Sequence, residues 1–311
     1  MQVNKLKHCD IQAVEGNECK LDSPPNLLKL HQLMVFVGKR RSGKSQSCTN
    51  LIQMSKFDRT FVISGTFQSN RKIMNTLNID PKDVYDPDHA LYAIKEIMHK
   101  IEAERDDYEM YHAKLKKWNL LNQYMNTTKT PVDLFPTFLM MEFDELQIKP
   151  WHRWGGRVPK IALMCDDCQS TRLFNVRQFL NLCMRHRHIG PLDQGGAIGL
   201  SVFLCIQNYK SQYGGCPRAV KNNATALAIY KIQSEKELDD IYEGVAGEIT
   251  RDQFDTAYAY ATAKPHGFLL IDLHPRDGHT TFRSQFNEMI TFKATQGRFN
   301  DAGNDTARVH A

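Results

Sequence analysis

Leu33-Met34-Val35-Phe36-Val37-Gly38-Lys39-Arg40-Arg41-Ser42-Gly43-Lys44-Ser45 is the stretch from which the rest of the chain is read. An unbroken apolar run of this length suits a strand buried on both faces. Gly38–Ser45 then fits G-x-x-x-x-G-K-[ST] at every fixed position, the Walker A pattern. The chemistry requires these residue types. The glycines let the backbone turn so that several N–H groups point at one anion. The helix expected to begin near Gly43 presents its positive end to the same group. Lys44 reaches the β- and γ-phosphates, and the Ser45 hydroxyl binds Mg²⁺. ATP with Mg²⁺ is the expected cofactor, held by Gly38, Lys39, Arg40, Arg41, Ser42, Gly43, Lys44, Ser45 and Gln46. Lys39, Arg40 and Arg41 stand outside the fixed pattern and suit nucleotide, a neighbouring subunit, DNA or plain solvent equally.

Working outward, short apolar runs alternate with helical stretches. Strands are expected at Thr60–Ser64, Ile161–Cys165, Leu200–Ile206, Ala224–Ile232 and Gly267–Leu273, the last in a hairpin with Thr280–Arg283. Residues 87–126, rich in Ala, Leu, Ile, Lys, Glu and Met, read as helix in two pieces, broken beyond by Pro131 and Pro136. Thr171–Arg185, Glu235–Glu243 and Arg251–Thr262 are further helices. The predicted class is α/β: a P-loop NTPase, RecA/FtsK-like, with a central mostly parallel sheet flanked by helices. The expected organisation is an N-terminal extension over 1–27, an ATPase domain over 28–290 with a helical insert at about 80–150, and a disordered tail over 291–311.

A phosphate loop of this kind needs carboxylates at the end of a neighbouring strand, one for the metal and one for the attacking water. Ile161–Asp167 supplies both, and Asp166 is assigned to the metal with Ser45, Asp167 to the water. Phe138–Glu145 offers a second apolar run ending in Asp-Glu, but Glu142 interrupts it where a central strand would bury a charge. Leu200–Ile206 ends in Gln207, a polar amide where open α/β sheets place their ligands, and so a candidate sensor of the γ-phosphate or of the water.

Composition agrees with a globular chain of one or two domains: 311 residues, 41% hydrophobic, 24% charged. A net charge of +5 permits an anionic partner without demanding one. The N-terminus, Met1–Lys7, lacks the apolar core of a signal peptide, and the longest apolar runs are too short to span a bilayer. The eight scattered cysteines suit free thiols in a reducing cytoplasm. Cys165 and Cys168 show C-x-x-C spacing, with no second pair to complete a zinc site. His186 and His188 read as contacts or loop packing rather than metal ligands.

In order along the chain, these residues resemble the FtsK–HerA superfamily, in particular its viral branch of genome-packaging ATPases from poxviruses, other large DNA viruses and virophages. The phosphate loop comes first, then a strand ending near Ser64–Asn70, the Asp166-Asp167 strand, a helix ending in Arg185–Gly190, and the strand ending in Gln207. Pro217-Arg218 with Asn222 or Asn223, and the strand Phe268–Asp272 with Phe282-Arg283, complete the match over roughly residues 30–285. Gly65 stands where the family pattern has proline, and Pro191–Ala197 is extra loop. The resemblance implies a homo-oligomeric ring motor with ATP between subunits and double-stranded DNA gripped in the pore without sequence preference. It implies an arginine reaching the γ-phosphate from the next subunit, with Arg185, Arg187 and Arg218 as candidates. It further implies capsid or capsid-vertex partners, and a place in host cytoplasm, viral factory or virion. Two other classes stay open: a cellular-type DNA pump, and a nucleotide-binding switch or small-molecule kinase that does not act on DNA. An Asn-Lys-x-Asp base-reading motif, which a GTPase would want, is absent.

Overall fold

A computed structural model of the chain describes residues 21, 23–66, 75–127, 148–169, 171–210, 215–245 and 249–292. Most of the expected N-terminal extension, the run Phe138–Glu145, most of Ser64–Asn70 and the tail from 293 onward lie outside the described residues.

The run Leu33–Val37 is β1, and each of its residues is fully buried. Beside it lie β2 (Arg59–Ser64), β3 (Val84–Tyr85), β4 (Ile161–Asp166), β5 (Ser201–Ile206) and β6 (Ala226–Tyr230). β7 (Phe268–Asp272), β8 (Phe282–Ser284) and β9 (Glu288–Ile290) complete one sheet in the order β3-β2-β4-β5-β1-β6-β7-β8-β9. Pairing is parallel from β3 through β6 and antiparallel from β6 to β9. β5 therefore separates β1 from β4, with Val35 opposite Leu204, and Asp166 opposite Cys205. This is the α/β, mostly parallel P-loop NTPase arrangement that the sequence predicts.

Alternation along the central strands sends side chains to two cores. Leu33, Val35, Val37, Leu163 and Leu204 pack with α2 (Ala90–Thr127), α3 (Arg177–Arg185), α4 (Arg218–Asn223), α5 (Glu235–Val245) and α6 (Arg251–Ala261). Met34, Phe36, Met164 and Phe203 face the opposite layer, where α1 (Lys44–Ser55) contributes Cys48, Leu51 and Ile52. Asp166 shares the parity of Ala162 and Met164, so its side chain falls on the α1 side.

Two expectations are corrected. The helix predicted over 87–126 in two pieces is one helix, α2, after a short 3-10 turn at Pro87–His89. No Gly or Pro interrupts residues 90–127, so nothing in the backbone chemistry breaks it. Thr171–Arg185 is a 3-10 turn at Leu173–Asn175, an extended Val176, and then α3. Within the span expected as a helical insert, β3 joins the main sheet by pairing with β2. That pairing is secured electrostatically. Arg59 of β2 bonds Asp83 at 2.8 Å and Glu104 of α2 at 2.9 Å, both carboxylates being 5% exposed.

Candidate functional site

Parallel strands deliver their C-terminal ends to one edge of the sheet, and β1, β4 and β5 each end there in a turn carrying polar groups. β1 leads into the loop Gly38–Gly43. A Cβ on Gly38 would lie 2.7 Å from Tyr230 Cβ and 2.9 Å from Ser42 Oγ, so only glycine fits. Arg41 (φ 66°) and Gly43 (φ 104°) take left-handed conformations that reverse the chain into α1. Gly43 is the N-cap of α1 and has no side chain to cap it, which leaves the first helical N–H groups to an anion. The Lys44 ammonium arcs back over the loop and donates to Gly38 O at 2.6 Å and Lys39 O at 2.9 Å. Burial pushes Lys44 below the usual lysine range, with the Asp166 and Asp167 carboxylates pulling the other way.

β4 contributes the acids. Asp166 Oδ1 accepts from Ser45 Oγ at 2.9 Å, joining the first turn of α1 to the end of the acidic strand. Burial lifts the Asp166 carboxyl above the usual range, and the charge of Asp167 adds to that, while the Ser45 hydroxyl holds it down. Ser45 and Asp166 present hard oxygen donors from two directions, which fits a Mg²⁺ ion. Asp167 is exposed and left-handed (φ 54°), so the chain turns sharply just past the strand. Gln207, the first residue past β5, donates from Nε2 to Asp167 Oδ1 at 3.0 Å. The phosphate loop, both acids and Gln207 thus lie together at one edge. A cleft of about 310 Å³ opens beside them, lined by Gly38, Lys39, Gln207, Asn208, Ile232, Gln233, Ser234 and Glu237. Lys39, outside the fixed pattern, bonds the Gln233 side chain there.

Two of the three arginine candidates, Arg185 and Arg187, are not at this edge. Arg185 and Arg187 are exposed and flank His186, whose ring contacts His31 O at 2.9 Å and whose carbonyl accepts from Leu200 N at 2.8 Å. His31 and Leu200 precede β1 and β5, so both arginines stand at the strand-starting edge. That is the length of a parallel strand, about 20 Å, from the loop of the same chain. Arg218 is exposed at the start of α4, two residues past Cys216, whose N–H bonds Tyr209 O.

Two residues at the site escaped the sequence reading. His266 (φ 61°), in the turn before β7, contacts Ser42 O through Nδ1 at 3.1 Å and lies against Gly43. Gln169, 9% exposed, bonds the backbone of Gln207 and Asn208. Neither sits in a recognisable pattern, and each is a neighbour only once the turns are folded. Cys165 and Cys168 are buried thiols. Cys168 Sγ donates to Ile63 O and Asp166 O, a packing role beneath the acids.

No protein-family model matches the chain, and no curated protein matches it. Solved structures similar to it include the genome-packaging NTPase B204 from Sulfolobus turreted icosahedral virus 2 in complex with sulfate (14% identity, TM-score 0.42, 79% of this chain and 94% of that one). EssC, ATPases 2 and 3, from Geobacillus thermodenitrificans is another (10%, TM-score 0.42, 78% of this chain and 38% of that one). A third is the pCW3 conjugation coupling protein TcpA with ATPγS (11%, TM-score 0.38, 78% of this chain and 57% of that one). Among the described residues, no helix is long and apolar enough to cross a membrane.

Proposed function

We propose that the chain hydrolyses ATP and uses the energy to translocate double-stranded DNA, as the packaging motor that fills a viral capsid. The observation that carries the hydrolytic part is the convergence of Lys44, Ser45, Asp166, Asp167 and Gln207, joined by the Ser45–Asp166 and Asp167–Gln207 bonds. The phosphate loop and the N-terminus of α1 bind the triphosphate through backbone N–H groups, and Lys44 supplies positive charge to its outer phosphates. Ser45 and Asp166 are the residues that would hold Mg²⁺, which neutralises phosphate charge when bound. Asp167 takes the proton of the attacking water, and the Gln207 amide orients that water against the carboxylate.

The motor part rests on the order of motifs shared with the FtsK–HerA superfamily. In this reading the protein forms a homo-oligomeric ring. An arginine of a neighbouring copy, from Arg185, Arg187 or Arg218, stabilises charge on the γ-phosphate. The position of Arg185 and Arg187 at the far edge of the sheet supports a role between copies rather than within one. DNA is held through its phosphates, without base contacts.

The deciding experiment measures ATP turnover of the purified protein with and without long double-stranded DNA, beside Lys44→Ala. Turnover that DNA stimulates and the variant abolishes is expected. Turnover indifferent to DNA would leave a P-loop hydrolase standing and turn the reading toward a switch or small-molecule kinase. Undiminished turnover in Lys44→Ala would remove the phosphate-loop argument itself.

A further inference from the structure

Gln169 belongs to neither the phosphate-loop pattern nor the acidic strand, yet it is buried between the turn that carries Asp167 and the turn that carries Gln207. Its Oε1 accepts from Gln207 N at 2.6 Å and from Asn208 N at 3.1 Å, and its Nε2 donates to Asn208 O at 2.5 Å. β5 ends at Ile206, so the backbone groups that follow are beyond the reach of the sheet ladder and need other partners. A primary amide meets that need, because it offers an acceptor and a donor in one plane. A carboxylate would set a second acceptor against Asn208 O, and a leucine would take the side-chain partner from all three backbone groups in a partly buried place.

The turn that supplies Gln169 is itself fixed. Asp167 is left-handed, Cys168 Sγ is bonded beneath it, and Thr171 N and Oγ1 both donate to Cys168 O. Above this buried frame, the exposed side chains of Asp167 and Gln207 meet at 3.0 Å. The two exposed groups are held in register by a residue that touches neither side chain.

We propose that Gln169 is a positioning residue: it fixes the backbone at Gln207 and so keeps the Gln207 amide on the Asp167 carboxylate. The proposal rests on the reading of those two groups as acting on the attacking water. It predicts that Gln169→Leu lowers kcat by about ten- to a hundredfold, the cost of a misplaced catalytic group, while affinity for a non-hydrolysable ATP analogue is unchanged. Gln169→Glu, which keeps the acceptor and loses the donor, should fall between. In a Gln207→Ala background, Gln169→Leu should cost almost nothing further. A full multiplicative loss there, or an equal fall in analogue affinity, would show Gln169 to be a general structural residue. Amide hydrogen exchange at Gln207 and Asn208 gives a readout independent of turnover. Both amides should lose protection in Gln169→Leu while those of β5 keep theirs. Unchanged protection at both overturns the proposal. Absence of ATP turnover in the unmodified protein would count against the hydrolase reading instead, with the exchange result still standing.

Discussion

The Ser45 hydroxyl donates to Asp166 Oδ1 at 2.9 Å, tying the first turn of α1 to the last residue of β4. A loop from one strand and an acid from another, two strands away in the sheet, meet through this bond. In Ser45→Ala the buried Asp166 carboxyl loses its partner, at a cost of about 1–3 kcal/mol of folding stability. The proposed metal site loses an oxygen donor, so Mg²⁺-supported turnover should fall by at least about tenfold, as losses at metal sites commonly do. Steady-state rates across a Mg²⁺ titration check this. A variant with an unchanged Mg²⁺ dependence would remove Ser45 and Asp166 from the metal site.

Asp167→Asn preserves the shape of the side chain and tolerates the left-handed backbone, but it cannot accept the proton of water. It should lower kcat by about 10²–10⁴-fold, the range for general-base groups, and leave nucleotide affinity intact. Rapid-quench turnover paired with equilibrium binding of a nucleotide analogue separates the two quantities. Near-normal kcat would transfer the base role elsewhere.

If Arg185 or Arg187 acts between copies, two inactive variants should complement each other. A double Arg185→Ala, Arg187→Ala protein retains an intact phosphate loop, and Lys44→Ala retains the arginines. Mixed and allowed to exchange, they should recover part of the activity that each lacks, since an arginine supplied in trans is worth about 10³–10⁵ in rate. No recovery on mixing would argue that neither arginine works across a subunit boundary.

Arg59→Met tests the ion-pair frame around β2 and β3. Removing the guanidinium leaves Asp83 with Lys100 alone and Glu104 with Arg153 and the Trp154 indole, and should cost about 1–3 kcal/mol in urea unfolding at neutral pH. Burial alone would raise the Asp83 carboxyl, but bonds from Arg59 and Lys100 outweigh it and hold the group below its ordinary value of 3.8. A carboxylate depressed in the folded state stabilises the fold above its unfolded pKa and loses that contribution as pH falls through the folded one. The gap between wild type and variant should therefore be full at pH 7 and narrow once the pH drops below 3.8. A gap independent of pH would mean that Arg59 acts through packing alone.

Much of this architecture was legible because it is local. Leu33–Val37, Ile161–Cys165 and Val202–Ile206 are unbroken apolar runs, and each leads directly into residues that the proposed chemistry uses. Gln207 could be singled out because it directly follows a buried strand. Gln169 could not, because its partners lie 38 and 39 residues away and its own segment is an unremarkable turn. β3, a two-residue strand, is too short for periodicity to register, and it exists because Val84 and Tyr85 pair with Val62 and Ile63. The continuity of α2 was misjudged for the opposite reason. Its buried positions thin out after Glu104, yet helix propensity stays high and no breaker intervenes.

The left-handed backbone at Asp167 sets stability against the proposed role of its carboxylate at one position. An L-residue is held there at a conformational cost of order 1 kcal/mol relative to glycine, less for Asn and Asp than for most others. Glycine at 167 would relax that conformation, and asparagine would ease it, and both discard the carboxylate. A library screened for thermal resistance without regard to turnover would therefore drift toward Gly or Asn at this site and discard the group proposed to take the proton of the attacking water.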